Sequence, residues 1–438
     1  MTQRYSKYKD SGIEWIGEIP EHWEVRKLKF ICEINRDTLP ENTNPGIKIE
    51  YVDIGSVSFI NGIEKTEHFT FKSAPSRARR LAKKNDTIVS TVRTYLKAID
   101  FITGEKSNYV YSTGFAILSP RKEIKPRYLA SSVRCNFFTG QVAYSSKGMS
   151  YPAINPTDLG CLWLLQPPLT EQESIAQFLD EKCARIDEAV RIKEKQIDLL
   201  KEYRQIAIHQ AVTKGLNDQV KMKDSGIEWI GEIPEHWEVI PLNYIGFTQN
   251  GISKGGEYFG KGTPFISYSD VYKNETLPQN INGLVEATSN EMLQYSVEKG
   301  DVFFTRTSET VDEIGLSSVA LKNFENATFA GFLIRFRFTK NIYLPEFSKY
   351  YFRSKTHRTF FVGKMNLVIR ASLSQELLKK MPVLIPPLFE QNQIVAHLEA
   401  LTTKTDEAIH LKEQQIEQLK QYKTSLIDEV VTGKIRVS

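Results

Sequence analysis

Apolar residues recur at helical spacing in two long stretches of similar design. After Pro167 and Pro168, Ile186, Val190, Ile197, Leu200 and Ala207 follow at near three-to-four spacing, with Lys193 and Arg204 as charged interruptions. After Pro386 and Pro387 the pattern repeats through Ile409, Ile416, Leu419, Leu426 and Val430, interrupted by Lys412 and Lys423. The prolines bar a preceding helix, and Thr170 with Glu173 three residues on is a capping-box signature, so the first helix is predicted to start near Glu171. Gly215 and Gly433 stand where each helix should stop. Such a helix of about 40 residues would run ~60 Å, beyond the length of an ordinary globular helix. A stripe this narrow needs a partner stripe and the duplicate supplies it, which predicts an antiparallel intramolecular pair. A break near residues 182–184, giving a short helix followed by a long one, is also compatible with the pattern.

The duplication extends further. Residues 9–25 read KDSGIEWIGEIPEHWEV, and residues 223–239 repeat all seventeen letters at a shift of 214. The helical segments, 167–213 and 386–432, are shifted by 219. Between the repeats lie two bodies, roughly 26–163 and 240–382, with little mutual likeness. A period this long is one tandem duplication, not a solenoid. The bodies read as mixed α/β, with strand-like runs at residues 48–52, 87–90, 115–118, 302–305 and 332–338, and helices at 126–138 and 345–361. The expected architecture is two α/β (α+β) globules separated by long helices pairing as an antiparallel coiled coil. Its parts are a first domain (1–166), a first helical spacer (167–216), a second domain (217–385) and a second spacer (386–438).

Composition narrows the function classes. Of 438 residues, 41% are hydrophobic and 25% charged, an ordinary soluble balance. No run approaches the ~18 apolar residues of a membrane span, and the first residues lack the apolar core of a secretory signal, so a cytoplasmic protein is expected. Four scattered cysteines (Cys32, Cys135, Cys161, Cys183) give no zinc spacing. The formal net charge of +4 is unevenly spread. Residues 26–160 hold 21 basic and 12 acidic side chains, residues 240–381 hold 17 and 13, and the remainder is acidic. Positive charge confined to the bodies suits phosphate contact there. Basic residues also alternate with aromatic, hydroxyl and glycine residues in apparent loops. These are SRARRLAKK (76–84), STVRTYLK (90–97) and SSKGMSYPAI (145–154), then NGISKGGEYFGKG (250–262), TRTSET (305–310) and VIRASLS (368–374).

Catalytic motifs are missing from this reading. Gly255, Gly260 and Lys261 imitate a phosphate loop, but Gly262 stands where Ser or Thr would hold magnesium. No dinucleotide fingerprint, zinc-protease motif or nucleophile elbow is present. His22 and His236 lie in the repeated arm, where a structural hydrogen bond is the simpler role. Trp15, Trp23, Trp229 and Trp237 share that arm and are expected to rivet it to its globule.

GIEWIGEIPEHWEV, present twice, together with PPLTEQESIAQFLDEK and PPLFEQNQIVAHLEAL, each leading a Lys/Glu-rich helix ending in AVTKG or VVTGK, resembles the DNA-specificity subunit of type I restriction–modification systems. KKNDTIVST (83–91) and EKGDVFFTR (298–306) look like that family's Gly-Asp strand element, with Asn85 in the place of Gly. The resemblance implies two target-recognition domains, each binding one half of a bipartite asymmetric duplex DNA site. It implies helices that set the half-site spacing and dock two methyltransferase (modification) subunits, and restriction/translocase subunits as further partners. The chain itself would be no enzyme and would hold no cofactor or metal. S-adenosylmethionine, ATP and magnesium would belong to the partner subunits, whose complex methylates adenine N6 and cuts DNA. On loop placement, Arg77, Arg79, Arg80, Arg93, Tyr95, Lys97, Lys147 and Tyr151 are expected to face one half-site. Lys254, Tyr258, Lys261, Arg306, Ser308, Arg370 and Ser372 are expected to face the other. The competing reading is a coiled-coil scaffold without DNA binding, whose interactions would lack a steep salt dependence.

Overall fold

The computed structural model describes residues 3–14, 16–308, 314–354, 357, 359–361 and 371–437; Trp15 and Arg370 fall outside them. The chain forms two units, one made of Met1–Glu194 with Glu413–Ser438, the other of Lys195–Lys412.

In the first unit the arm is a small hairpin, Tyr8–Asp10 against Glu18–Pro20. Strand Glu24–Lys27 then pairs antiparallel with Trp163–Gln166, the strand that runs into the first long helix. The body holds a four-stranded antiparallel sheet in the order Cys32–Ile34, Phe115–Pro120, Thr87–Ser90, Ile99–Phe101. A five-stranded sheet runs Asp37–Thr38, Ala78–Leu81, Val110–Ser112, Lys48–Val52, Glu67–Thr70, with the Val110–Ser112/Lys48–Val52 pair parallel. Strand Thr87–Ser90 is buried on both faces: Val89 joins the core with Leu118, Tyr128 and Val133, while Ile88 joins that of Phe115 and Ile117. Alternation of side chains across a strand, both faces covered, explains why adjacent Ile88 and Val89 are both apolar.

The second unit repeats the plan with unlike residues. Its arm pairs Met222–Asp224 with Glu232–Pro234, and Glu238–Pro241 pairs with Pro382–Ile385. Its main sheet runs Gly246–Asn250, Leu333–Phe338, Val302–Thr305, Ser317–Val319, the same order as in the first body. A smaller sheet again holds one parallel pair, Phe259–Ile266 with Thr328–Phe329. Phe303 and Phe304 face opposite cores, as Ile88 and Val89 do.

Asn85 takes up the backbone geometry of its glycine counterpart, with φ 77° against 95° at Gly300. Asn85 donates its amide to Ile102 O and Gly300 to Ala320 O, both at 2.8 Å. The next residue closes each turn: Asp86 accepts from the Lys83 amide at 2.7 Å, and Asp301 from Glu298 at 2.8 Å. Asparagine tolerates the left-handed region better than other side chains, so the turn survives the substitution.

Both long helices, Leu169–Lys214 and Leu388–Val431, are unbroken. Three of their charged interruptions, Lys193, Arg204 and Lys423, have cross-helix partners. Within the first unit, Lys423 meets Asp187 at 2.7 Å and Lys193 donates to Gln415 at 2.6 Å; within the second, Arg204 meets Asp406 at 2.6 Å. Rising numbers on one helix against falling numbers on the other make the pairing antiparallel. The predicted capping box is absent. The first helix begins at Leu169, since the amides of Glu171 and Gln172 already reach Pro168 O at 2.9 Å, leaving Thr170 inside the helix.

Two duplicated side chains wire each body to its helix. Buried Gln172 accepts from the Lys125 amide at 2.7 Å and donates to Pro167 O at 2.8 Å. Gln391 does the same with the Leu344 amide at 2.9 Å and Pro386 O at 2.8 Å. Arg134 and Arg353, each ending a helix that starts with proline, donate to Ile99 O at 2.9 Å and Ser317 O at 2.7 Å, capping equivalent edge strands.

Candidate nucleic-acid interface

In the first body, two of the loops singled out by sequence meet. Val92 bridges to Ala153, which also bridges to Lys147, and Thr94 shares a hydrogen bond with Ser146 at 2.9 Å. This apposition lays the Arg93 guanidinium over the Tyr151 ring, 5.2 Å from its centroid. Lys97 stands 5.5 Å from the Phe59 ring. Arg93 and Lys97 both hold left-handed backbone, φ 52° and 47°. Non-glycine residues there cost on the order of 1–3 kcal/mol and persist only where the surroundings enforce them. Arg93, Tyr95, Lys147 and Tyr151 are exposed, as is Met149 at the loop tip.

The other loop joins them through the backbone. Thr113 donates to Arg77 O at 2.8 Å, and the neighbouring Gly114 O accepts from Thr91 at 2.7 Å. Arg77 also pairs with Asp53 at 3.6 Å. Arg79 and Arg80 are less available. Arg79 lies over Phe71 at 4.6 Å, while burial pushes the Arg80 guanidinium below its ordinary value.

In the second body, Leu373 donates to Arg306 O at 2.7 Å, Arg306 to Phe332 O at 3.0 Å, and Gly331 to Ile252 O at 2.8 Å, so three candidate loops share one edge. Loops 250–262 and 305–310, with residues 330–332, line a groove of about 280 Å³ that includes Asn250, Lys254, Phe259, Arg306 and Phe332. Phe332, exposed at the rim, was not foreseen as a site residue: it opens the strand-like run 332–338, where an aromatic reads as core, and stands just before the strand Leu333–Phe338. Lys254 is already engaged: it pairs with Glu291 at 2.8 Å, donates to Glu286 O at 2.6 Å and is mostly buried. That bond holds the Glu291 carboxyl below its ordinary value. Lys261 pairs with Glu286 at 3.1 Å but stays exposed, and Tyr258 is partly exposed. Ser372 is exposed on a two-residue strand whose partner is Thr307–Ser308. Arg370 lies outside the described residues.

The repeated histidines bond carboxylates, His22 to Glu171 at 2.8 Å and His236 to Glu390 at 2.5 Å. Among the described residues no group of three or more His, Cys, Asp or Glu could hold a metal ion, and no helix is long and apolar enough to cross a membrane.

Comparison with known proteins agrees with this layout. The type I restriction modification DNA specificity domain matches twice, over residues 20–202 and 234–421. The chain belongs to that family, and it is a specificity subunit of the type I restriction–modification class. The putative MjaX specificity subunit of Methanocaldococcus jannaschii is 26% identical over 446 residues, spanning 96% of each chain. The EcoKI specificity subunit of Escherichia coli K12 is 26% identical over 405 residues, spanning 89% of this chain and 84% of its own. Among solved structures, a chain of a type I R-M system studied for complex assembly and conformational transition superposes with a TM-score of 0.72 at 21% identity, covering 94% of this chain and 98% of that one. The HsdS subunit of Thermoanaerobacter tengcongensis gives 0.53 at 23%, covering 95% and 98%. These two are likenesses of fold.

Proposed function

We propose that each body binds one half of a bipartite duplex DNA site, and that the long helices set the interval between half-sites and dock two methyltransferase subunits. The chain chooses the sequence and performs no bond chemistry. S-adenosylmethionine, ATP and magnesium act in partner subunits, including restriction/translocase subunits where these assemble.

The observation that carries this reading is the convergence of exposed Arg93, Lys147 and Tyr151, 58 positions apart at the extremes, on one strained and pinned surface of the most basic part of the chain. Phosphates ask for fixed cations, and base edges ask for hydroxyl, amide and guanidinium donors on a rigid frame. A common strand plan carrying unlike loops suits two readers of different half-sites. The acidic balance of the helices and arms argues against phosphate contact there.

The test is exchange of residues 26–163 for the corresponding body of a relative, followed by mapping of methylated sites in the assembled enzyme. One half of the recognised sequence should change and the other stay. Change in both halves would overturn the modular assignment.

A further inference from the structure

The repeat continues past the arm into a stretch where little else agrees. RKLKFI (26–31) and IPLNYI (240–245) share a leucine, an isoleucine and one aromatic position. The leucines and isoleucines are core: Leu28, Ile31, Leu242 and Ile245 are all buried. The aromatic is not. Phe30 is 59% exposed and Tyr244 67% exposed.

The frame around each is the same. Leu28 donates to Leu162 O at 2.9 Å, and Leu242 to Met381 O at 2.9 Å. Glu24 pairs with Gln166 across its strand, and Glu238 with Ile385. Each framing strand then runs through Pro-Pro to an exposed leucine, Leu169 at 43% and Leu388 at 38%. In the first unit Phe30, His22, Arg26, Pro168 and Leu169 line one groove of about 580 Å³. In the second, Phe389 adds another exposed ring beside Leu388. Neither aromatic lies in the loops assigned to DNA, and neither contributes to a core.

We propose that this groove and the exposed surface carrying Tyr244, Leu388 and Phe389 are docking sites for two copies of one polypeptide, the methyltransferase subunit, each seating an apolar side chain against the aromatic and the helix-start leucine. The assignment rests on the proposed function and adds to it a place away from the paired helices. One occupant used twice explains why an exposed aromatic is retained in both halves while the bodies diverge, since different half-sites would impose different residues. Aromatic anchors in partly enclosed pockets dominate interface energies, and the His22–Glu171 and His236–Glu390 pairs supply a polar rim.

The experiment measures uptake of the system's own methyltransferase subunit by the full chain in native mass spectrometry, for wild type, Phe30→Ala, Tyr244→Ala and the double variant. Thermal melting and binding to a fluorescent duplex serve as controls for folding. Wild type should take up two subunits. Each single variant should keep one site and weaken the other by at least about tenfold, and the double variant should lose both, with DNA affinity unchanged. Full uptake by folded single and double variants overturns the docking site alone; a wild-type chain that takes up no subunit overturns the proposed function with it. Loss of chain self-association in place of subunit uptake also overturns the proposal and assigns the groove to a second copy.

Discussion

Trp23 lies against Gly433, 410 residues later in the chain: a Cβ at Gly433 would stand 3.2 Å from the indole and 2.5 Å from Cδ of Pro20. Gly433 ends the second long helix with φ 73°, and Tyr8 donates its hydroxyl to Gly433 O at 3.2 Å. Arg436 then donates to Gln3 O at 2.8 Å. In the other unit Trp237 meets Gly215, at the end of the first long helix, with a looser closest approach of 3.4 Å. Each arm therefore rests on the start of one long helix through its histidine, and on the end of the other through its tryptophan.

Gly433→Ala should destabilise more than Gly215→Ala. Both substitutions force a side chain into left-handed backbone, which costs about 1–2 kcal/mol. Only the first also drives a methyl into a proline ring held by a buried tryptophan, bringing the expected loss to roughly 2–4 kcal/mol. Denaturant unfolding of the two variants checks the order; equal losses would show that the Pro20 contact gives way.

Gln172→Leu and Gln391→Leu should each cost roughly 2–4 kcal/mol despite similar volume, because buried backbone groups lose their partners. At the first site these are the Lys125 amide and Pro167 O, at the second the Leu344 amide and Pro386 O. The same measurement on Gln166, whose amide reaches only Glu123 O from an exposed position, should show a much smaller effect.

Stability of the second unit should fall in mild acid through His357. Its ring is buried against Tyr351 at 4.4 Å, and among the described residues Nε2 has no hydrogen-bond partner. Burial first, then nearby His209, pushes its pKa from 6.5 down to about 3. A depressed histidine leaves the neutral form favoured by the fold, so stability is intact above the unfolded value of 6.5. It declines as pH falls below that value, by about 1.4 kcal/mol per unit until the folded value is reached. At pH 5 the loss is about 2 kcal/mol. Unfolding curves at pH 7 and pH 5 measure it, and His357→Phe should flatten the difference.

Much of this molecule is legible in one sequence because its signals are periodic. The helical stripes, the repeated arm and the strands at residues 48–52, 87–90 and 302–305 depend on local spacing, and all stand where the pattern puts them. The helix start shows where local reading fails: Thr170 and Glu173 satisfy the capping pattern, yet the Pro168 carbonyl takes over the role. Partnering across the chain is not local. Lys254 reads as a free cation in a glycine-rich loop, and only the fold brings Glu291 to it. The glutamine wiring at 172 and 391 was equally hidden, since glutamine beside a helix start has an ordinary solvent role.

That distinction separates the cations at the interface. If the proposed surface binds DNA, Arg93→Ala should weaken duplex binding about tenfold and lower the slope of log affinity against log salt by about one, the change expected for loss of one phosphate contact. Tyr151→Ala should weaken binding too, because Arg93 loses the ring that aims it. The Arg93→Ala/Tyr151→Ala double variant should then lose less than the two single losses combined. Lys254→Ala should leave the salt slope unchanged, as its charge is matched by Glu291, and should instead lower stability. Fluorescence anisotropy on a duplex at several salt concentrations measures all four chains. A salt slope reduced by Lys254→Ala but not by Arg93→Ala would move the phosphate contacts away from the Arg93–Tyr151 surface.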